Sequence, residues 1–261
     1  MPRTHPVRGR EPDSVQEHLR TWAKMGPMSR TASPSTLRVV TYNLRGLKDD
    51  PAAAAAVVRR LDPDVLLLQE VPRYPGSSYA ISSFARQAGL LWSGRTRLVS
   101  GTSLMTHLRV ESTDSQDRRL KVGLRENPRS YTLAQVRQVG GPWVTVVSVH
   151  LSLVGAQRVD HVRTVLAELA DDPRVPDDGA LVVGGDLNEN HEGEAWKIVA
   201  GELVEVSDDR LTFPASRPQH RLDALFSRGH HQARPGDPAL LEGLDLRAAS
   251  DHLPVWVDLT F

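Results

Sequence analysis

Short runs of β-branched and leucine residues recur along the chain from residue 37 onward, with turn residues close to each run. Runs of this length and composition are typical of β-strands. We therefore predict eight strands, within the segments LRVVTYNL, DVLLLQEV, TSLMTHLRV, YTLAQVRQV, WVTVVSVHLSL, ALVVGGDL, RLDALFS and PVWVDLTF.

Helical patterns lie between some of these runs. The segment DPAAAAAVVRRL combines an Asp-Pro start with alanine-rich helix formers. In AQRVDHVRTVLAELA the apolar residues fall on one helical face, namely Val159, Val162, Val165, Leu166 and Leu169. The segments GEAWKIVAG and SSYAISSFARQAG predict two further helices. Because some strands are separated by helices and others follow one another through short turns, the pattern predicts an α+β fold with mixed or antiparallel sheets.

The first 36 residues differ from the rest of the chain, since they are rich in Arg, Pro, Ser and Thr and have few apolar positions. We predict that residues 1–36 are disordered, with one short helix near SVQEHLRTWAKM. Residues 37–261 contain no repeat of fixed period and no internal boundary, and they are long enough to bury a core as one domain.

Composition narrows the classes of protein that the chain can represent. The 32 basic and 32 acidic residues argue against a protein that holds a long nucleic acid by charge alone, although a local basic groove stays open. Because the chain has no cysteine, it has neither disulfides nor thiolate metal sites. Any metal must bind oxygen or imidazole ligands, and carboxylate with carboxamide favours a hard ion.

The hydropathy pattern also bears on location. No apolar run approaches the roughly 20 residues that a membrane span needs. The first stretch, MPRTHPVRGREPDSVQEHLR, lacks the apolar centre of a secretory leader. We therefore expect a cytoplasmic protein without a membrane span, and we expect it to be a monomer.

Polar side chains stand where the predicted strands end or begin. The residues in question are Asn43, Gln69, Glu70, His150, Asp186, Asn188, Asp223, Asp251 and His252. Strand ends that converge on one edge of a sheet form a cleft, and functional residues tend to lie on such loops. The set therefore predicts one functional site at one edge of the sheets.

Each of these residues alone also has a purely structural explanation. Asn43 fits a turn, and His150 fits a hydrogen-bonded core histidine. Asp223 fits an ion pair with Arg221, Glu70 fits a solvated loop acid, and the stretch DLN fits an Asx turn. What favours a shared site is the matched chemistry of six polar stretches in one chain.

The ordered blocks TYNLRGL, LLLQEV, VHLSL, GGDLNEN, RLDALF and SDHLPV resemble the signature blocks of the endonuclease/exonuclease/phosphatase superfamily, with the deoxyribonuclease and sphingomyelinase branches the most similar. The likeness extends over about residues 37–261. It implies a four-layer α/β sandwich, in which two mixed sheets lie face to face with helices outside. It also implies hydrolysis of a phosphodiester or phosphomonoester by water, with Mg²⁺ or Mn²⁺ as cofactor.

The resemblance also implies roles for individual residues. The metal-binding set is Asn43, Glu70 and Asp251, with Glu70 as a direct ligand. The catalytic set is His150, Asp186, Asn188, Asp223 and His252, of which His150 and Asn188 bind the substrate phosphate.

The residue types in these sets suit hydrolysis by water. A metal ion on Glu70 stabilises developing negative charge. Asp186 can accept a proton from water, while Asn188 can hold the water or a phosphate oxygen. His252, oriented by Asp223, prefers the protonated state and can donate to the transition state.

Two features of the sequence depart from the abasic-site endonucleases of the superfamily. Those enzymes carry an acid where this chain has Arg45, and a tyrosine block where it has SVHLSL. In the deoxyribonuclease branch an acid orients the second histidine. The candidates for that partner of His150 here are Glu111, Asp114 and Glu126, and no spacing distinguishes them.

Two other functions remain open on the sequence alone. One is a catalytically silent module that binds a phosphorylated ligand in the same fold. The other is a nuclease whose basic segments PVRGR and RTWAKMGPMSR grip DNA. The substrate is also open among nucleic acid, lipid and small phosphate esters. Specificity is expected in the loops RYPGSSY, STDSQDRRLKVGLRENPRS and RLTFPASRPQH.

Overall fold

The computed structural model describes residues 36–92, 94, 100–113, 115–124 and 126–261. The segment predicted to be disordered, with the short helix expected near SVQEHLRTWAKM, lies outside these residues except for Thr36, which begins the first strand. Within the part of the chain that is described, no helix is both long enough and apolar enough to cross a membrane.

The strands and helices follow one another in a mixed order. The strands are β1 (Thr36–Asn43), β2 (Val65–Gln69), β3 (Thr102–Thr106), β4 (Val110–Ser112), β5 (Gln116–Leu120), β6 (Arg129–Gln138), β7 (Val144–His150), β8 (Ala180–Asp186), β9 (Val204–Glu205), β10 (Asp223–Arg228), β11 (Gln232–Pro235) and β12 (Val255–Thr260). The helices are α1 (Pro51–Leu61), α2 (Ser77–Ala88), α3 (Gly155–Ala170), α4 (Glu194–Glu202) and α5 (Leu246–Ala249). Short 3₁₀ turns lie at Arg45–Leu47 and Pro238–Leu241.

The strands form two mixed sheets. The five-stranded sheet has the order β11-β12-β1-β2-β3, in which only the β1–β2 pair is parallel. The seven-stranded sheet has the order β4-β6-β7-β8-β10-β9, with β5 also paired to β6, and here only β7 and β8 are parallel. Where β1 pairs with β12, the hydroxyl oxygens of Thr36 and Thr260 lie 3.1 Å apart.

A helix connects the two strands of each parallel pair, since α1 lies between β1 and β2 and α3 between β7 and β8. The start of α1 follows from its sequence. The side chain of Asp50 accepts hydrogen bonds from the backbone N–H of Ala52 and Ala53, at 2.8 and 3.2 Å, and Pro51 needs no such partner.

Three apolar clusters divide the domain into four layers. One cluster joins the outer face of the five-stranded sheet to α1 and α2, through residues such as Leu61 and Phe84. A second joins the seven-stranded sheet to α3 and α4, through residues such as Val162 and Trp196. The third, which includes Leu67, fills the space between the two sheets. The predicted α+β fold, a four-layer sandwich of two mixed sheets and outer helices, is thereby confirmed.

The eight predicted strand segments and the four predicted helical segments each contain the expected element. The segment TSLMTHLRV differs in detail, because β3 ends at Thr106 and a new strand begins at Val110. The hydrophobic pattern does not predict β5, β9 or β11, which belong to sheet edges and are short and polar. A strand at an edge buries little side-chain surface, so its pairing leaves a weak hydrophobic signal.

The alternation of side chains along the strands gives the inner faces a polar end. On β1, Val39 lies between the sheets whereas Val40 and Tyr42 face the helices. With a period of two, Thr41 and Asn43 share the inner face with Val39. The same alternation turns the last residue of β7, the last of β8 and the first of β10 inward at this end of the sandwich.

Two consecutive glycines carry β8 to this polar end. A Cβ atom on Gly185 would lie 1.9 Å from the carbonyl oxygen of Val149, and one on Gly184 would lie 2.3 Å from Cδ2 of Leu225. At Gly185 the obstacle is backbone of the adjacent strand, whereas at Gly184 a side chain would have to displace the leucine side chains of Leu225 and Leu67.

We expect Gly185→Ala to lower the free energy of unfolding by about 3 kcal/mol or more, since the clash is with backbone that cannot move freely. Gly201→Ala is the matched control: nothing lies within 4 Å of its Cβ position, and in α4 alanine is favoured over glycine by roughly 0.5–1 kcal/mol. Urea denaturation followed by circular dichroism measures both. Equal stability of the two variants would contradict this account of the glycine pair.

Candidate active site

The floor of the site is a buried polar contact between the two sheets. The side-chain nitrogen of Gln69 donates to Oγ of Ser148 across the sandwich at 3.0 Å, and it lies 3.1 Å from Oγ1 of Thr41. All three residues are buried. Because buried polar groups are costly unless paired, this network fixes the two sheets against each other below the site.

Asp186 is the centre of the site, and its side chain is buried. One oxygen, Oδ2, accepts from the amide of Asn43 at 3.0 Å and lies 3.6 Å from Nε2 of His150 and 3.7 Å from Nε2 of His252. The other oxygen, Oδ1, accepts the backbone N–H of Asn188 at 2.9 Å. Side chains from both sheets thus meet at one carboxylate.

Strand register explains part of this convergence. His150 pairs with Asp186 between β7 and β8, and Asp186 pairs with Asp223 between β8 and β10. Three neighbouring strands therefore present ionisable side chains side by side at one edge. Burial, and then the charge of Asp223, raises the pKa of Asp186 to about 7.

His252 and Asp223 form a buried pair, with 2.9 Å between Nδ1 and Oδ2. The ring of Phe213 packs against the imidazole at a centroid distance of 4.8 Å. Burial alone would lower the pKa of His252, but the carboxylates of Asp223 and Asp186 outweigh it and raise this pKa to about 10. Asp223 therefore does not pair with Arg221, which instead contacts Glu205.

The high pKa of His252 predicts a pH dependence of stability. An unfolded histidine titrates near about 6.5, so the contribution of His252 is complete below that pH and is lost as pH rises toward 10. We expect the difference in unfolding free energy between wild type and His252→Gln to shrink by about 2–4 kcal/mol between about pH 6 and 9.5. Urea denaturation in EDTA at several pH values measures it, and a constant difference would contradict the assignment.

Glu70 and Asn43 come from the five-stranded sheet. Glu70 follows β2 with a left-handed backbone, φ 49°, and its carbonyl accepts the N–H of Gly46 at 2.7 Å. Its carboxylate Oε1 lies 3.4 Å from the side-chain nitrogen of Asn43. Such a backbone conformation is uncommon outside glycine and marks a residue whose position is fixed by its surroundings.

Asp251 lies on the loop before β12 and is paired with a cation. Its Oδ2 is 3.2 Å from Nε of Arg45, and NH1 of the same guanidinium is 3.0 Å from Oδ1 of Asp49. Burial raises the pKa of Asp251, His252 and Arg45 oppose this shift, and the charge of Glu70 adds to it. Asp251 thus shares the electrostatic environment of Glu70 and His252.

Asn188 takes part in an Asx turn and also lies beside the site, so both explanations offered for it from the sequence apply. The bond from its N–H to Asp186 is an Asx turn, and its backbone is left-handed with φ 52°. Its side-chain nitrogen donates to the carbonyl of Leu151 at 3.0 Å. The turn holds Oδ1 of Asp186, so that Oδ2 of the same carboxylate faces the site.

Arg129 is a residue that the sequence analysis missed. NH1 of Arg129 lies 2.8 Å from Nε2 and 3.1 Å from Nδ1 of His150. Burial, and then the charge of Arg129, lowers the pKa of His150 well below its usual value, so the ring is neutral. Arg73, whose guanidinium donates to the carbonyl of Pro128 at 3.3 Å, adds positive charge nearby.

The acids considered as partners of His150 are engaged elsewhere or lie outside the described residues. Glu111 pairs with Arg137, Glu126 accepts from Gln157, and Asp114 is not among the described residues. The carboxylate that contacts the histidine is that of Asp186 itself.

Ligand atoms for a metal are present. Within the described residues, Asp186, Asp223 and His252 offer atoms that lie within 4.8 Å of one another. Oε1 of Glu70 and Oδ2 of Asp186 both lie beside the amide of Asn43, and carboxylate and amide oxygens are donors that a hard cation prefers.

Solved structures of other proteins share this fold. The human nocturnin catalytic domain with bound sulfate is similar at a TM-score of 0.65 and 20% identity, over 87% of this chain and 94% of that chain. The Bacteroides thetaiotaomicron mannosyl-6-phosphatase Bt3783 is similar at 0.66 and 18%, over 86% and 100%. D. rerio TDP2 with a single strand DNA product is similar at 0.64 and 20%, over 87% and 100%. At these identities the likeness concerns the fold.

Sequence comparison gives the family. Among curated proteins no sequence match is found. The profile of the Endonuclease/Exonuclease/phosphatase family matches residues 40–252, which include the first five blocks quoted above and the SDH of the sixth. The resemblance inferred from the ordered blocks is confirmed, and the chain belongs to the endonuclease/exonuclease/phosphatase family.

Proposed function

We propose that this protein is a divalent-metal-dependent phosphoesterase, in which water attacks a phosphodiester or phosphomonoester. The observation that carries the proposal is the meeting of Asn43, His150 and His252 at the buried carboxylate of Asp186. These residues are far apart in the chain, and the fold brings two histidines and an amide to one buried acid.

The metal site proposed here is Glu70 with Asn43, and the ion is Mg²⁺ or Mn²⁺. Carboxylate and amide oxygens are the donors that these ions prefer. The carboxylate of Glu70 and Oδ1 of Asn43, which also accepts the N–H of Arg45 at 3.0 Å, would hold the ion. When bound, the ion stabilises negative charge on the phosphate oxygens. Asp251 experiences the charge of Glu70, which supports its assignment to this site, and its carboxylate is paired with Arg45.

Proton transfer is assigned to Asp186 and His252. Burial and the charge of Asp223 raise the pKa of Asp186, which makes this carboxylate a stronger base that can take the proton of the attacking water. His252 stays protonated and can donate to an oxygen of the phosphate, while Asp223 orients its ring. The side-chain nitrogen of Asn188 donates one of its two hydrogens to the carbonyl of Leu151, which fixes the amide, and its oxygen is assigned to orient the water.

Phosphate binding is assigned to His150 together with Arg129. The imidazole of His150 is neutral and can donate its ring N–H to a phosphate oxygen. The guanidinium of Arg129 beside it supplies positive charge. The structural neighbours support a phosphate ligand, since one is a mannosyl-6-phosphatase and another is complexed with a DNA product. Their names include both a phosphomonoester and a nucleic acid, so both substrate classes belong in the test.

The experiment is a panel of four substrates: a bis-aryl phosphodiester, an aryl phosphomonoester, plasmid DNA and sphingomyelin. Each is incubated with wild type and Asp186→Asn, in Mg²⁺, Mn²⁺ or EDTA. We expect turnover of at least one substrate that requires the ion and falls by about 10³-fold in the variant. Equal rates for both proteins would refute the proposal. Binding of phosphate esters without any turnover would indicate the silent module.

Arg129→Ala is expected to lower kcat/KM by about 10–100-fold, which corresponds to one charge-assisted hydrogen bond of about 1.5–3 kcal/mol. The same change should raise the pKa of His150, because the charge of Arg129 lowers it. Steady-state kinetics and NMR titration of the histidines measure the two effects.

Arg137→Ala is the control for this prediction. Arg137 also lies on β6 but pairs with Glu111 and stacks on Trp143 away from the site. If both arginine variants lose activity equally, Arg129 has no special role in phosphate binding.

A further inference from the structure

Two arginine side chains lie next to each other on the His150 side of the site. Arg129 is the first residue of β6, and NH1 of its guanidinium lies 2.8 Å from Nε2 of His150. NH1 of Arg73 donates to the carbonyl of Pro128, the residue before Arg129, at 3.3 Å. Burial lowers the pKa of both Arg129 and His150, and the charge of Arg73 lowers both further. Both guanidiniums therefore act on the same histidine.

Neither guanidinium is neutralised by a carboxylate. Within the described residues, Arg73 and Arg129 form no ion pair, whereas Arg137 at the other end of β6 pairs with Glu111. A guanidinium has five N–H donors and a neutral imidazole has one acceptor nitrogen, so His150 occupies only a small part of the Arg129 donors. Because a partly buried charge is costly unless it is paired, the two arginines offer a place for an anion.

We propose that the Arg73–Arg129 pair selects a terminal phosphate group, so that the substrate is a phosphomonoester dianion rather than a phosphodiester. This inference rests on the proposed phosphoesterase function and names its substrate class. In the reaction, the oxygen of water bonds to phosphorus and the P–O bond to the alcohol breaks. The proton that Asp186 takes from water balances the one that the departing alkoxide receives, and the products are the alcohol and inorganic phosphate.

The number of phosphate oxygens favours a monoester. Three groups from different strands are assigned to the phosphate, namely an ion held by Glu70 and Asn43, the ring N–H of His252, and the guanidinium of Arg129 beside His150. A monoester has three terminal oxygens, one for each of these groups, whereas a diester has two. With a diester, one group would face an esterified oxygen, which carries little charge and is a weak acceptor.

Charge favours the same substrate class. A phosphomonoester carries about −1.5 to −2 charges near pH 7, because its second pKa is about 6, whereas a phosphodiester carries a single charge. Two guanidiniums attract the dianion more strongly, and the planar fork of an arginine can bind two terminal oxygens at once. Neighbouring phosphates of a nucleic acid are another ligand for arginines. Arg129, however, contacts the histidine assigned to the reacting phosphate, which directs its charge to that phosphate.

The test uses two substrates that differ by one methyl group, para-nitrophenyl phosphate and its diester methyl para-nitrophenyl phosphate, each in Mg²⁺. We expect wild type to hydrolyse the monoester with a kcat/KM at least about tenfold higher, the effect of one charge-assisted hydrogen bond. Arg129→Ala should lower kcat/KM by about 10–100-fold on the monoester and by less than about threefold on the diester. Arg73→Ala should lower the monoester value by about 3–10-fold, because it acts by charge without contacting His150.

Inhibition by phosphate compounds measures binding separately from the chemical step. The inhibition constant of inorganic phosphate should be at least about tenfold lower than that of dimethyl phosphate, and Arg129→Ala should abolish the difference. Arg129→Lys keeps the charge but lacks the fork, so its selectivity should fall between wild type and Arg129→Ala. Arg137→Ala is the matched control and should keep the selectivity of wild type. Circular dichroism verifies that each variant is folded.

The outcomes separate this inference from the proposed function. A wild type that prefers the methyl diester, or that cleaves plasmid DNA while leaving the monoester intact, would overturn the inference and leave the phosphoesterase proposal standing. Equal losses on the two substrates in Arg129→Ala would have the same meaning. Lost selectivity in Arg137→Ala would show that any arginine has this effect, which also overturns the inference. No ion-dependent turnover of any substrate would overturn both proposals.

Discussion

His252→Ala is expected to lower kcat by about 10³–10⁴-fold, with a much smaller change in KM. The ring is buried beside Asp186, and Asp223 keeps it protonated with a pKa of about 10. Its donated proton is therefore available when negative charge develops on the phosphate, and no neighbouring group replaces it. Steady-state kinetics at saturating Mg²⁺ on the best substrate of the panel measure the loss.

The Asp223–His252 pair predicts non-additive effects. Asp223→Asn should reduce kcat by about 10²-fold or more, because the imidazole loses its orientation and part of its proton affinity. The double variant should be no slower than His252→Ala alone, since residues that act as a unit are not additive. His161→Gln is the control: this histidine lies on the outer helix α3 and is also buried, but its Nε2 contacts the carbonyl of Lys121. Additive losses would contradict the paired role.

Glu70→Gln is expected to weaken Mn²⁺ binding by at least about 100-fold and to lower activity at fixed Mg²⁺ by about 10³-fold. Glutamine has nearly the same shape and can keep the contact with Asn43, but it removes the negative charge that holds a divalent ion. Calorimetric titration with Mn²⁺ gives the affinity, and the dependence of rate on Mg²⁺ concentration gives the functional effect.

A matched carboxylate separates this effect from a general loss of charge. Glu111→Gln removes an acid of the edge strand β4, away from the site, where Glu111 pairs with Arg137. It should leave both Mn²⁺ affinity and rate within about twofold of wild type, as is usual for surface substitutions. If Glu70→Gln behaves like this control, the ion binds elsewhere.

The sequence predicts the layers of this fold well, because the interior strands carry strong apolar patterns. Segments such as ALVVGGDL bury residues on both faces, and the alanine-rich stretch after Asp50 has both a cap and a helical composition. Short edge strands such as β5, with the sequence QDRRL, bury little and give no such pattern. Their existence depends on backbone pairing with β6, which composition does not encode.

The residues of the candidate site likewise divide into those that the sequence predicts and those that it does not. Asn43, His150 and Asp186 are found from sequence because each ends a buried strand, and their convergence follows from strand register and alternation. Arg129 was missed because this first residue of β6 lies just before the apolar segment YTLAQVRQV, in a stretch whose charges resemble a solvated surface. A signal existed nonetheless: antiparallel pairing places the start of β6 beside the end of β7, where His150 lies.

The ion pair of Arg45 with Asp251 is a contact that the sequence could not predict. The sequence identifies both residues, but 205 intervening positions separate them. Only the pairing of β1 with β12 brings their two loops together. A departure from a family pattern at Arg45 could be noticed from sequence, whereas its physical meaning required the contact partner.

The pairing of Thr36 with Thr260 has a practical consequence for laboratory work. Both residues lie at the end of the sandwich opposite the candidate active site. Strand β1 runs from Thr36 to Asn43, and its seven residue-to-residue steps span about 23 Å. A fluorophore or a surface tether attached beside either threonine would stand clear of incoming substrate. The domain can therefore be immobilised or labelled there without obstructing the proposed active site.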